Sequence, residues 1–211
     1  MGKPLTITIA RQYGSGGREI GARVAELLGI KSYDRELITM AAQKNGMNVD
    51  ALHNIDERAT SSLLYTLAMG SSSYGHYHGT MSFDMPVNDK LFVVQSEIIR
   101  ELADTEDCVI VGRCGDYVLR ENPNVISIFI YADIEHRIKR IMERHDLSYN
   151  EAKDLVAKTD KRRINYYNFY TGRKWGKYDH YNASIDSHLL GIEGTAQIIA
   201  DMARNFKAKN E

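Results

Sequence analysis

Residues 11–21 read Arg-Gln-Tyr-Gly-Ser-Gly-Gly-Arg-Glu-Ile-Gly. They follow the β-branched run Thr6-Ile7-Thr8-Ile9 and lead into the helical spacing Ile20, Val24, Leu27, Leu28. A strand that ends in a glycine turn and opens a helix gathers backbone N–H groups and a helix N-terminus around one point. That is how proteins hold phosphates. Gly14, Ser15, Gly16, Gly17 and Arg18 are therefore candidate phosphate ligands, with Arg11 beside them. The pattern departs from the standard G-x-x-x-x-G-K-[ST]. With Gly14-Ser15-Gly16 laid on its second half, Gly17 takes the lysine's place, Arg18 follows, and Arg11 stands where the first glycine belongs. Arg18, one residue from the missing lysine, is the first candidate for its charge, ahead of Arg11. The same glycines also fit a plain strand-to-helix turn, because glycine adopts positive φ without steric cost. Arginines on both sides favour the phosphate reading.

Asp34 follows the short run Lys31–Tyr33, and Arg113 and Asp116 follow the apolar run Cys108–Gly112. In an open parallel sheet, ligands sit beyond the carboxyl ends of the strands, so these points should converge with the glycine loop. The planar fork of Arg113 suits a phosphate bidentately. A salt bridge to a neighbouring helix is its plainer use. Asp34 fits a helix N-cap equally well. The cations Lys161, Arg162 and Arg163 fit a solvated helix face, or a closing segment that brings anion ligands. Cys108 and Cys114, the only cysteines, make neither a disulfide framework nor a zinc pattern. Cys108 reads as a small core residue. His76 and His78 lie in a Gly/Ser/Tyr stretch without further ligands, so no metal centre built from side chains is expected.

Those residues need elements to position them. Strands are expected at 5–10, 31–33, 108–112, 125–131 and 181–186. Helices are expected at 18–29, 35–45, 88–104, from 134, from about 148, and over 193–207. Residues 50–69 also carry helical spacing, and 70–86 read as a long loop. Strands alternating with helices predict a doubly wound parallel sheet, with the strand Cys108–Gly112 near Leu5–Ala10. With 211 residues, 43% of them hydrophobic, the chain can bury a sizeable core. A net charge of −1 argues against wholesale coating of nucleic acid. No apolar stretch approaches the roughly 20 residues of a bilayer span. The N-terminus enters a strand with no signal-peptide core. A reducing cytoplasm fits these features.

Together, I-A-R-Q-Y-G-S-G-G-R-E-I-G, Y-D-R-E-L, V-G-R-C-G-D and Y-N-A-S-I-D-S resemble the cytidylate kinase-like family, a branch of the P-loop nucleoside monophosphate kinases, over nearly the whole chain. The resemblance implies an α/β fold: three α/β/α layers on a five-stranded parallel sheet, P-loop kinase-like, with a helical lid. It implies one domain over 1–211, with an acceptor-side helical insertion at about 35–105 and the lid at about 158–178. It further implies ATP with Mg²⁺ bridging its phosphates, and a nucleoside monophosphate or related small phosphorylated acceptor held by Asp34, Arg113 and Asp116. Arg18, Arg162 and Arg163 would then stabilise charge during transfer. No nucleic-acid or membrane partner is implied. The aromatic cluster Tyr166, Tyr167, Phe169 and Tyr170 reads as packing or as a homodimer contact. Ordinary cytidylate kinases carry G-R-D where this chain has Gly112-Arg113-Cys114, with Asp116 two residues late. The loop lysine and following threonine are also absent, and Glu19 stands two beyond Gly17. Two other readings stay open: a nucleotide-binding degenerate kinase with a regulatory role, and a kinase of a non-nucleotide small molecule.

Overall fold

The computed structural model describes residues 3–34, 36–44 and 87–210. The helical spacing at 50–69 and the loop at 70–86, with His76 and His78, lie outside the described residues. Five strands form one sheet: β1 (Thr6–Arg11), β2 (Lys31–Tyr33), β3 (Cys108–Val111), β4 (Val125–Tyr131) and β5 (Ala183–Asp186), in the order β2-β3-β1-β4-β5. Every pairing is parallel, and β1 runs beside β3 from Thr6 opposite Cys108 to Ile9 opposite Val111. The expected sheet is therefore present, with the glycine-loop strand at its centre.

Among the described residues seven α-helices surround it: α1 (Gly17–Leu28), α2 (Glu36–Lys44), α3 (Val87–Thr105), α4 (Gly115–Val118), α5 (Ile134–His145), α6 (Tyr149–Thr171) and α7 (Ser187–Asn210). Side chains alternate along a strand, and β3 shows the consequence. Cys108 and Ile110 enter a core with Leu37, Leu91, Ile98 and Ile99 of α2 and α3. Val109 and Val111 enter the opposite core with Ile20 and Val24 of α1 and Ile199 of α7. Both faces are covered, which gives three layers.

Local chemistry sets the helix starts on the site side. The Asp133 carboxylate accepts hydrogen bonds from the amides of Glu135 and His136 at the head of α5. Ser148 and Glu151 form a reciprocal capping box at the head of α6. Two elements start more than one residue away from the sequence expectation. The last strand begins at Ala183 rather than 181. The last helix begins at Ser187 rather than 193 and is interrupted at Gly191, whose φ of 66° breaks the helical path. Of the aromatic cluster, Tyr167 is buried and Phe169 exposed, while Phe92 of α3 stacks on Tyr170 at 4.3 Å and meets Tyr166 edge-on at 6.3 Å.

Candidate active site

The carboxyl ends of β1, β2 and β3 open into a cleft of about 540 Å³, bounded by the glycine loop, α5 and α6. Gly14 and Gly16 take left-handed φ values of 83° and 76°. Gly16 is the N-cap of α1 and offers no side chain to the first turn. The first-turn amides are thus left for a ligand, with the positive end of the helix behind them. Ser15 is a brace rather than a wall of the cleft. Its hydroxyl donates to the carbonyl of Gln12 at 2.8 Å, its residue is buried, and Ser187 Oγ donates to its carbonyl at 2.7 Å.

Six arginines line the cleft (Arg11, Arg18, Arg113, Arg140, Arg144 and Arg163), against two carboxylates, Glu19 and Asp34. Asp34 Oδ2 lies 2.8 Å from Arg18 Nε, and Asp34 Oδ1 lies 3.7 Å from Arg11 Nη2. Glu19 pairs with Arg140 and, at 3.3 Å, with Arg144. Arg163 of α6 donates to the carbonyl of Arg11 at 3.1 Å and lies 5.5 Å over the Tyr13 ring. On the same helix, Asp160 Oδ1 accepts the amide of Tyr13 at 2.7 Å. Its Oδ2 takes Arg137 Nη1 at 2.6 Å. Helix α6 is therefore fastened to the glycine loop through part-buried polar groups.

The end of β3 is strained. Gly112, Arg113 and Cys114 take φ values of 78°, 57° and 54° in succession, a run that L side chains avoid. Such strain persists only where its surroundings impose it, and it concentrates at functional sites. Burial lowers the Arg113 pKa from its ordinary value; the charges of Tyr166 and Asp34 oppose that shift and Arg163 adds to it. Burial pushes the Cys114 thiol up, away from thiolate chemistry. Asp116 is buried too, and burial raises its pKa although Tyr167 donates to its Oδ2 at 2.6 Å. It lies with Arg11, Arg113 and Arg163 in a smaller cavity of about 40 Å³ behind the main cleft.

The structure thus brings Arg11, Gly14, Gly16, Gly17, Arg18, Asp34, Arg113 and Arg163 to one cleft, with Ser15 beneath it and Asp116 behind it. Arg162 is exposed and is not part of the cleft lining. Sequence reasoning left Arg140 and Arg144 in a general cationic run. Nothing local marks them: only the packing of α5 beside α1, where both pair with Glu19, brings them to the loop.

Any Mg²⁺ fits here as a companion of phosphates. No group of three or more ligating side chains exists among the described residues. Glu19 and Asp34 are the nearest carboxylates and already balance arginines. Mg²⁺ commonly keeps its waters and binds through substrate phosphates with one or two carboxylates.

A glycine loop on the central strand of an all-parallel five-stranded sheet, closed over by a helix, defines a P-loop kinase fold. Residues 6–189 match the Cytidylate kinase-like family, and the chain belongs to that family. Among solved structures it is similar to an uncharacterized protein from Eubacterium ventriosum ATCC 27560, at 27% identity and a TM-score of 0.70, over 95% of this chain and 98% of that one. It is similar in fold to shikimate kinase from Bacteroides thetaiotaomicron, at 13% identity and a TM-score of 0.54, over 95% and 98% of the two chains. Shikimate kinase from Acinetobacter baumannii, in complex with shikimate, matches at 15% identity and 0.52, over 97% and 95%. No curated protein sequence matches the chain. No described helix is long and apolar enough to cross a membrane.

Proposed function

We propose that this protein is an ATP-dependent phosphotransferase that moves a phosphoryl group to a nucleoside monophosphate or a related small anionic acceptor. The observation that carries the reading is the cleft itself: six arginines converge between a glycine loop and a lid helix. Phosphoryl transfer requires mainly positioning and positive charge around the equatorial oxygens, and guanidinium forks supply both. The amides from Gly14 to Arg18 hold donor phosphates, with Arg11, Arg18, Arg140 and Arg144 around them. Arg163 crosses from α6 to the transferring group, and Arg162 follows it only if the lid moves. Arg113 takes an anionic group of the acceptor and Asp34 orients the arginines. Asp116 acts through Tyr167 to keep α6 in place. Mg²⁺, bound with the donor, neutralises developing charge.

A non-nucleotide acceptor is the second reading. It is favoured by Cys114, which puts a buried neutral thiol where the resemblance calls for an aspartate. Measuring ADP release from ATP across a panel of nucleoside monophosphates and small hydroxy acids, with and without Mg²⁺, tests both. Turnover with one monophosphate supports the first, and turnover only with a non-nucleotide supports the second. Nucleotide binding without any turnover identifies a regulatory binder.

A further inference from the structure

We propose that Arg11 and Gly17 are a positional exchange: the phosphate-binding cation that the standard loop carries at position 17 enters here from position 11. This rests on the phosphotransferase reading above and concerns the same cleft. In the standard pattern position 11 is glycine and position 17 is lysine; this chain has the reverse arrangement, a cation at 11 and glycine at 17. The two positions touch. A Cβ built on Gly17 would collide with Arg11 Cβ and stand 2.8 Å from its Cγ. Gly17 is not among the positive-φ glycines, so its backbone admits any residue. What excludes a side chain there is the stem of Arg11.

A second glycine, from a different element, completes the channel. A Cβ on Gly112 would collide with Arg11 Nη1 and stand 3.0 Å from Cζ. The guanidinium therefore lies across the backbone at the end of β3, beside the strained turn that presents Arg113. Its side chain is 12% exposed and lines the cleft, 3.7 Å from Asp34. Arg18, the nearer residue in sequence to the missing lysine, is 47% exposed, and it too pairs with Asp34, at 2.8 Å. Arg11 is the better enclosed of the two and the one for which two glycines make room. A fork delivered from the strand side can hold two phosphate oxygens at once, where a lysine holds one as a point charge.

The test is a charge swap. Binding of MgATP and of inorganic tripolyphosphate, a probe independent of the base, is measured by calorimetry for wild type, Arg11→Gln, Gly17→Lys and the double variant Arg11→Gly/Gly17→Lys. Losing a charged hydrogen-bond partner should weaken both ligands about tenfold or more in Arg11→Gln, and Gly17→Lys, whose side chain collides with the Arg11 stem, should weaken them by pushing Arg11 out of place. The double variant, which restores the standard pattern, should recover most of that loss. A purely structural Arg11 would not be rescued by a lysine at another position. Circular dichroism melting accompanies each variant, and Arg11→Gln decides the matter alone if the double variant does not fold. Wild-type affinity in Arg11→Gln, or a folded double variant no tighter than the weaker single, overturns the exchange. In both cases the phosphotransferase reading stands, because wild type still binds. Wild-type protein that binds neither probe overturns that reading and the exchange with it.

Discussion

Arg113 occupies a backbone conformation that an arginine pays to adopt, with φ at 57° between two other positive-φ residues. The left-handed region costs an L residue roughly 1–2 kcal/mol, and glycine avoids that cost. Arg113→Gly should therefore be more stable than Arg113→Ala by about 1 kcal/mol, read by urea unfolding, while both lose acceptor binding. Equal stability of the two variants would mean that the turn relaxes and holds no strain. Asp116 gives a second residue-scale test. Burial raises its pKa above the ordinary 3.8, against lowering by Tyr167, two backbone amides and Arg173. The folded state then binds this proton more tightly than the unfolded chain. That contribution to stability is fully present below the unfolded value and is lost as pH rises through the folded one. Asp116→Asn keeps an acceptor for Tyr167 and removes the titration. Its stability relative to wild type should grow as pH rises from about 4, by up to about 1.4 kcal/mol per unit within the window. A pH-independent difference would contradict the buried carboxylate.

At the scale of elements, the site depends on α6 being fastened to the glycine loop. Asp160 holds the Tyr13 amide and Arg137 together, with both members of the ion pair largely buried. Asp160→Ala strands a buried guanidinium, so unfolding experiments should show a loss of roughly 3–5 kcal/mol. The double variant Arg137→Met/Asp160→Leu should recover much of that stability but not nucleotide affinity, because the Tyr13 amide stays without its partner. Affinity recovering along with stability would reduce the pair to packing. This fastening was not legible in the sequence. Charged residues are rarely buried unless paired, and nothing local marks Arg137 and Asp160, 23 residues apart, as partners. The strands were legible, because short apolar runs such as Cys108–Val111 and Val125–Tyr131 bounded by turn residues have few other uses. The onset of α7 was not, since the left-handed break at Gly191 splits the periodicity that marked it.

At the scale of the molecule, a chain of net charge −1 concentrates six arginines around one cleft. That asymmetry should focus anionic ligands towards the site and make their association salt-dependent. The convergence of the glycine loop, Asp34 and Arg113 could be foreseen from the rule that ligands sit beyond the carboxyl ends of parallel strands. The contribution of α5 could not, because it depends on how far Arg140 and Arg144 reach back over α1 to Glu19. Phosphorus NMR of the protein with ATP, Mg²⁺ and each nucleoside monophosphate in turn tests the central claim most directly. The prediction is that one mixture forms ADP and a second nucleoside diphosphate in equal amounts, and that Arg113→Ala or Arg163→Ala suppresses both together. ADP and inorganic phosphate with no second nucleoside diphosphate, or no change in any mixture, would contradict phosphoryl transfer to a nucleotide.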